Sequence, residues 1–159
     1  MRLFTSIDEA AQLLAGEKKW DRMLEAAEAS SGLPAHITYS VGDSLTWRGV
    51  DASCVQDRLT ASRRYLPAVH CRTGWVDVEV ASTWSPAGPY SDLSDRQAAT
   101  AGQADREDSP AASPVTVRVP SGGLLLVDIA EASRIAAASP DFAGVLMRIT
   151  VEGRSFHNK

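Results

Sequence analysis

The chain has 159 residues, of which 44% are hydrophobic and 23% are charged, and its formal net charge is −4. This size and composition predict a single globular domain, residues 1–159, with one hydrophobic core. The mild negative charge argues against nucleic-acid binding, and no apolar run approaches the roughly 20 residues that span a bilayer. Because the first residues also lack a secretory hydrophobic region, we expect a cytoplasmic protein.

Two short amphipathic helices are predicted within residues 5–31. Ser6 and Glu9 have the spacing of a capping box, in which the serine side chain accepts the amide three residues on. Gly32 and Pro34 are typical of the residues that follow the end of a helix. Between these signals, apolar side chains recur with the helical period at Ile7, Ala10, Ala11, Leu14, Trp20, Met23, Leu24 and Ala27.

After His36 the apolar residues alternate with polar ones, which is typical of strands with one buried face. The clearest run starts at Trp75, where Val76, Val78 and Val80 share one face. A hairpin is predicted around the Gly-Asp turn at residues 42–43. Strand patterns also occur at residues 37–41, 45–47, 65–71, 115–119, 124–129 and 142–151.

Together these elements predict an α+β fold. Two N-terminal helices are followed by a mostly antiparallel β-sandwich or half-barrel of about seven strands, with its β core in residues 36–82 and 115–152. Residues 50–63 fit either a short helix around 55–59 or a loop. Residues 130–138 predict a short helix or a helical turn.

Between the two β segments, the sequence predicts a long polar loop over residues 85–114. Tyr90 and Leu93 are its only large apolar residues. Five acidic and two basic residues give this segment a net charge of −3, which is most of the charge of the whole chain. A loop this long in a small domain is usually functional or disordered, so it is the first place to look for a function.

Common catalytic motifs are absent from the sequence. It contains no G-x-G-x-x-G, Walker A, H-E-x-x-H or G-x-S-x-G pattern. His70 and Cys71 are neighbours on a predicted strand, so their side chains point to opposite faces and cannot share one metal. Cys54 and Cys71 have neither zinc-binding nor redox spacing, and we expect two reduced, buried thiols. We therefore predict no catalytic residue, no metal site and no cofactor.

A segment rich in proline and glycine places two large aromatic residues, Trp84 and Tyr90, just after a strand. Tryptophan and tyrosine are enriched at binding hot spots, and loops on rigid scaffolds carry many binding residues. Together with the carboxylates of Asp92 and Asp95, they predict a surface that binds another protein, one with a basic surface. Our first hypothesis is a non-catalytic protein-binding module, of the inhibitor or immunity type.

The closing part of the chain agrees with this hypothesis. From Val115 to Val151 the sequence predicts a strand, a Ser-Gly-Gly turn, an apolar strand, a short crossover and a final strand. Over this stretch the arrangement is similar to that of small bacterial β-sandwich proteins of the inhibitor or immunity kind. The resemblance rests on no diagnostic motif, and it implies a protein as the partner.

The alternative hypothesis is a small-molecule or metal-binding β-barrel protein, or an enzyme, with a pocket inside the curled sheet. Such a pocket combines an apolar wall with a few polar contacts. The residues expected to line it are Tyr39, Trp47, His70, Trp75, Asp77 and Glu79. A third interpretation assigns the arginines within residues 48–72 to nucleic-acid binding, although no set of stacking aromatic residues is interleaved with them.

Overall fold

The computed structural model describes residues 1–30, 32, 34–102 and 113–151. In this part of the chain, two helices, α1 (Ile7–Leu14) and α2 (Lys18–Ala29), accompany twelve strands and a 3₁₀ turn at Ala52–Cys54. The strands are β1 (Arg2–Phe4), β2 (Thr38–Val41), β3 (Leu45–Asp51), β4 (Leu59–Ala61), β5 (Tyr65–Thr73), β6 (Trp75–Ala81), β7 (Trp84–Pro86), β8 (Gln97–Ala101), β9 (Val115–Pro120), β10 (Leu124–Leu126), β11 (Ala132–Ala138) and β12 (Ala143–Thr150).

The first helix begins at the predicted cap. The side chain of Ser6 accepts a hydrogen bond from the amide of Glu9 at 3.1 Å. The Glu9 carboxylate reaches back to the amide of Thr5 at 2.6 Å, one residue before the cap itself. With 8 and 12 residues, neither of the two described helices is long and apolar enough to cross a membrane.

The strands form two six-stranded sheets whose neighbouring strands are antiparallel. The helix-side sheet has the order β1-β10-β5-β12-β3-β2, and the outer sheet has the order β7-β8-β4-β11-β6-β9. The predicted α+β class, with two helices and mostly antiparallel strands, is therefore confirmed. The expected number of about seven strands is wrong. Three of the additional strands, β1, β4 and β7, have only three residues each, too few to show an alternation, and the other two are β8 and β11.

The helix-side sheet is buried on both faces, as its central strand β12 shows. Val145, Met147 and Ile149 point toward α1 and α2 and are at most 1% exposed. Leu146 lies between them and points to the opposite face, where it packs in the core between the two sheets. The helices and the outer sheet thus cover the two faces of the same strand.

The second core fills the space between the sheets. Val76, Val78 and Val80 of β6 are at most 3% exposed, and they pack with Val69 and Leu125 of the helix-side sheet. This confirms the buried face that the sequence predicts for β6. The two inner faces interdigitate as in other sandwiches of two antiparallel sheets.

Residues 132–138 form strand β11, so the predicted short helix or helical turn over residues 130–138 is wrong. In β11, Ser133 pairs with Val80 and Ile135 with Val78 of β6. The four alanines of this strand favour a helix in isolation. That preference is weak, and pairing with a neighbouring strand on each side overrides it.

The segment predicted as one polar loop, residues 85–114, contains strand β8. Gln97 and Ala99 are buried while Ala98 and Thr100 alternate with them, but residues this small or polar give no apolar signal in the sequence. Residues 103–112 of the predicted loop lie outside the described residues. Residues 50–63, for which a helix and a loop were both open, contain the 3₁₀ turn and β4.

Close packing at Gly144 of β12 makes the two-sided burial testable. A Cβ at this position would lie 2.5 Å from the carbonyl oxygen of His70 and 2.8 Å from Cζ of Phe142. We expect Gly144→Ala to lower the free energy of unfolding by about 1–3 kcal/mol, as overpacking does in other cores, measured by urea denaturation. Gly88→Ala is the matched control, because nothing lies within 4 Å of the Cβ it adds. An equal loss in both variants would contradict this packing.

Candidate functional site

A cavity of about 250 Å³ lies between the two sheets, at the end where β2, β3 and β4 meet. One water molecule occupies roughly 30 Å³ in the liquid, so this space holds about eight waters or one small ligand. Strands of both sheets line the cavity with the side chains that point into the space between them. Strand register and the alternation of side chains along each strand therefore determine which residues line the cavity.

One side of the cavity carries hydroxyl groups. Thr38 and Thr46 come from β2 and β3 of the helix-side sheet, and Thr60 and Ser133 face them from β4 and β11 of the outer sheet. Thr60 and Ser133 are register partners, and the Thr60 hydroxyl donates to the carbonyl oxygen of Ser133 at 3.4 Å. Because a hydroxyl can donate and accept, this side can bind polar groups of either kind.

The other side of the cavity is apolar and continues the core between the sheets. Val69 and Leu146 belong to the helix-side sheet, and Val78 and Ile135 belong to the outer sheet. The valines and the isoleucine are at most 5% exposed. An apolar wall opposite a few placed polar groups is the usual form of a small-molecule site.

Arg148 connects the two sheets at the edge of the cavity. Its guanidinium donates to the carboxylate of Asp95 at 2.8 Å and to the hydroxyl of Ser62 at 3.1 Å. Arg148 belongs to β12 of the helix-side sheet, whereas Ser62 directly follows β4 of the outer sheet. Burial lowers the pKa of Arg148, and the negative charge of Asp95 opposes this effect. The guanidinium remains charged, as arginine does in proteins generally.

Asp95 is the centre of the polar network beside the cavity. The residue is 2% exposed, and its φ of 49° lies in the left-handed region, which aspartate tolerates better than most residues. Its carboxylate accepts hydrogen bonds from the backbone amides of Arg63 at 2.9 Å and Arg64 at 3.1 Å, and from the hydroxyl of Tyr90. The connection between β7 and β8 is therefore fixed to the end of the cavity at several points.

Three of the four residues predicted to bind a protein partner are tied inward by hydrogen bonds. Nε1 of Trp84 donates to the carbonyl oxygen of Ala130 at 2.8 Å. Tyr90 and Asp95 bond to each other. The side chain of Asp92 is 91% exposed and makes a surface ion pair of 3.3 Å with Arg64. Partner binding by these residues stays a prediction.

The structure adds to this surface one residue that was not among those predicted to bind a partner. Leu93 stands next to Asp92 at the tip of the connection between β7 and β8 and is 100% exposed. Ser91 and Arg96, on either side of the tip, form an isolated antiparallel bridge. The fixed loop thus presents an apolar side chain beside a carboxylate.

Trp84 also borders a second hollow, of about 390 Å³. Eight residues line it, whereas nineteen line the cavity between the sheets, which is somewhat less open to solvent. We therefore base the candidate site on the cavity between the sheets.

Of the six residues predicted to line a pocket, Trp47 is among the residues around the cavity and the other five are not. Trp47 alternates with Thr46 and Arg48 along β3, so its side chain lies on the opposite face and packs in the helix-side core. The ring of Tyr39 stacks on it, with 5.7 Å between the centroids. A role of these two residues in ligand binding stays a prediction.

Of the remaining four predicted pocket residues, His70 also lies on the helix-facing side of its sheet, and the other three lie on the outward face of the other sheet. His70 is 7% exposed, and its Nδ1 lies 2.9 Å from the carbonyl oxygen of Gly123; burial lowers its pKa. Trp75, Asp77 and Glu79 share the outward face of β6. There the two carboxylates bond to arginines of the neighbouring strands, at distances of 2.8 Å and 2.7 Å.

Neither the cysteines nor any acidic or histidine cluster forms a recognisable reactive site in the described ranges. No group of three or more histidine, cysteine, aspartate or glutamate residues could hold a metal ion there. Burial raises the pKa of both Cys54 and Cys71 to about 11. Both are therefore thiols at neutral pH, whereas the thiolate is the form that attacks substrates and binds metals.

Sequence reasoning missed most of the cavity for a physical reason. The sequence shows that polar residues, Thr46 and Arg48, alternate with apolar ones along β3. However, the polar face of a strand is usually the face exposed to solvent. Only the outer sheet, placed over that face, makes it an interior wall. No local signal in the sequence announces this placement.

The network around Asp95 predicts a strong effect of one substitution. We expect Asp95→Ala to lower the free energy of unfolding by about 3–5 kcal/mol, because it leaves the half-buried guanidinium of Arg148 without its counter-ion and two backbone amides without their acceptor. Urea denaturation measures the loss, and faster hydrogen exchange of the Arg63 and Arg64 amides reports the release of the loop. Asp92→Ala is the control, since that carboxylate is exposed and its loss should leave stability nearly unchanged. Equal stability of the two variants would contradict the role of Asp95 as the centre of this polar network.

No protein-family model matches the sequence. Among solved structures, the chain is similar to hydroquinone 1,2-dioxygenase PnpCD in complex with Cd2+ and 4-hydroxybenzonitrile, at 17% identity and a TM-score of 0.46, over 88% of this chain and 78% of that one. A second similar structure is hydroquinone 1,2-dioxygenase from Sphingomonas sp. TTNP3, at 14% identity and a TM-score of 0.44, over 80% of this chain and 72% of that one. A third is Drosophila melanogaster CENP-C bound to CAL1, at 13% identity and a TM-score of 0.40, over 85% of this chain and 100% of that one. None of these likenesses is close enough to support an assignment of function.

Proposed function

We propose that this protein binds a small molecule in the cavity between its two sheets. The observation that carries the proposal is a space of about 250 Å³ with hydroxyl and guanidinium groups on one side and core aliphatic residues on the other. Protein interiors are otherwise close-packed, and side chains of a sandwich core normally interdigitate without such a gap.

The polar groups of the cavity also support a binding role. Sandwich interiors are built from apolar residues, and a buried polar side chain without a hydrogen-bond partner is costly. Thr46, which is half-buried, nevertheless lines the cavity, and so does Thr38, which is exposed. A bound ligand, or the water that it displaces, can form hydrogen bonds with these hydroxyls.

Filling the cavity tests the proposal. Thr46→Leu removes a hydroxyl and adds bulk at the wall, so we expect it to abolish ligand binding while the fold remains intact. A library of small polar and charged metabolites is screened by thermal unfolding, in which a ligand at 100 times its Kd adds about 2.7 kcal/mol of stability, or several degrees of Tm.

Thr116→Leu is the matched control, because Thr116 is an exposed threonine on strand β9 away from the cavity. We expect hits to stabilise the wild type and Thr116→Leu, but not Thr46→Leu. Hits that stabilise Thr46→Leu equally, or a library without any hit on the wild type, would refute a ligand site in this cavity.

A second candidate function is recognition of another protein through the tip of the connection between β7 and β8. Full exposure of Leu93 beside the exposed carboxylate of Asp92 favours it. Asp95 fixes this loop, so little conformational entropy is lost when a partner binds. The exposed carboxylate fits a partner with a basic surface.

Substitution at the loop tip tests this second candidate. We expect Leu93→Ser to lose a protein that wild-type chain captures from a lysate of the source organism, identified by mass spectrometry. Val115→Ser is the control, because Val115, like Leu93, is an exposed apolar residue, but it lies on strand β9. If the wild type and both variants capture the same protein, the loop tip is not part of the interface.

A further inference from the structure

The guanidinium of Arg48 is a half-buried positive charge at the cavity that has no carboxylate partner among the described residues. Strand β3 places Arg48 on the face that points between the sheets, with Leu146 of β12 and Thr38 of β2 as its register neighbours. The side chain is half-buried and lines the cavity. Within the described residues it makes no hydrogen bond and no ion pair, although a guanidinium carries five N–H donors.

Two of the other three arginines that line the cavity are neutralised by carboxylates, which sets Arg48 apart from them. Arg148 is paired with Asp95 at 2.8 Å, and Arg134 is paired with Glu79 at 2.7 Å. No aspartate or glutamate is among the described residues that line the cavity. An uncompensated positive charge therefore remains at its wall.

A second positive charge lies at the rim. Arg96 is exposed, borders the same cavity, and acts electrostatically on Arg148, whose pKa it lowers further. The chain as a whole has a net charge of −4, so this positive region is not a consequence of overall composition. A cleft lined with one sign of charge attracts ligands of the opposite sign.

We propose, building on the function proposed above, that the ligand is a small organic anion and that Arg48 binds its anionic group. The planar guanidinium fork matches a carboxylate or a phosphate, to which it donates two parallel hydrogen bonds. The hydroxyls of Thr38 and Thr46 stand on the same wall and can complete the contacts of the anionic oxygens. Binding would give Arg48 an acceptor that the described part of the chain does not provide.

The apolar side of the cavity defines the rest of the ligand. Val69, Leu146 and Ile135 offer an apolar surface that an inorganic ion would leave uncovered. A cavity of about 250 Å³ also excludes large metabolites. The ligand class that fits is a compact molecule with one anionic end and an apolar body.

Isothermal titration with matched pairs of probes tests the charge requirement. Benzoate and pentanoate are compared with benzamide and pentanamide, which have nearly the same shape without the charge, and phenyl phosphate and inorganic phosphate form a separate arm. We expect the organic anions to bind wild-type protein at least tenfold more tightly than the amides. Preference for phenyl phosphate over benzoate would assign the anionic group to a phosphate, and the reverse would assign it to a carboxylate.

Substitution of Arg48 tests its role. We expect Arg48→Met to lower the affinity for the preferred anion at least tenfold, Arg48→Lys to retain part of it, and the affinity for the amides to stay unchanged. Arg58→Met is the matched control, since Arg58 is exposed and does not line the cavity. Circular dichroism and the Tm of each variant show that the fold persists.

The outcomes separate this inference from the proposed function. If amides bind as tightly as anions, or if Arg48→Met binds the anions as the wild type does, the anionic class is overturned while a small-molecule site remains. If inorganic phosphate binds as tightly as the organic anions, the apolar part of the inference falls. If none of the probes binds and the library screen also finds no ligand, both the inference and the proposed function fail.

Discussion

The pleat of strand β12 is the constraint on which the rest of the structure depends. Its residues alternate between the helix-side core, which receives Val145 and Met147, and the space between the sheets, which receives Leu146 and Arg148. A central strand with apolar residues on both faces cannot lie at a surface. The N-terminal helices must therefore cover one face and a second sheet must cover the other.

The second sheet covers the first unevenly, and the difference follows from side chains. Around β6 the inner faces carry valines, and the two sheets pack into a closed core. Toward β2, β3 and β4 the inner faces carry threonines, serines and Arg48, which do not fill the space in the same way. The cavity is thus the place where the residues on the inner faces of the two sheets change from apolar to polar.

The ion pair between Arg148 and Asp95 holds this polar end together. It connects β12 with the loop after β7, while Ser62 connects Arg148 with the end of β4. A buried ion pair is not by itself a large source of stability, but removing one partner is costly because it leaves the other charge uncompensated. The pair therefore fixes the position of the loop, and with it the edge of the cavity and the exposed tip that carries Leu93.

Periodicity within the sequence determined the secondary-structure class. The helix start at Ser6, the buried face of β6 and the long closing strand could all be read from residues a few positions apart, because the forces that produce them are local. Two of the strands that the sequence did not show, β8 and β11, consist largely of small residues whose conformation depends on their neighbours in the sheet. Tertiary pairing decided them.

The candidate site was decided by tertiary structure almost entirely. The sequence placed Trp47, His70 and Asp77 in one pocket, but Trp47 and His70 lie on the helix-facing side of one sheet and Asp77 lies on the outward face of the other. It showed Thr46 and Arg48 as one polar face of a strand, but not whether water or another sheet lies opposite. That choice depends on contacts between residues distant in the chain, such as those of β3 and β4 around the cavity, which no short-range pattern encodes.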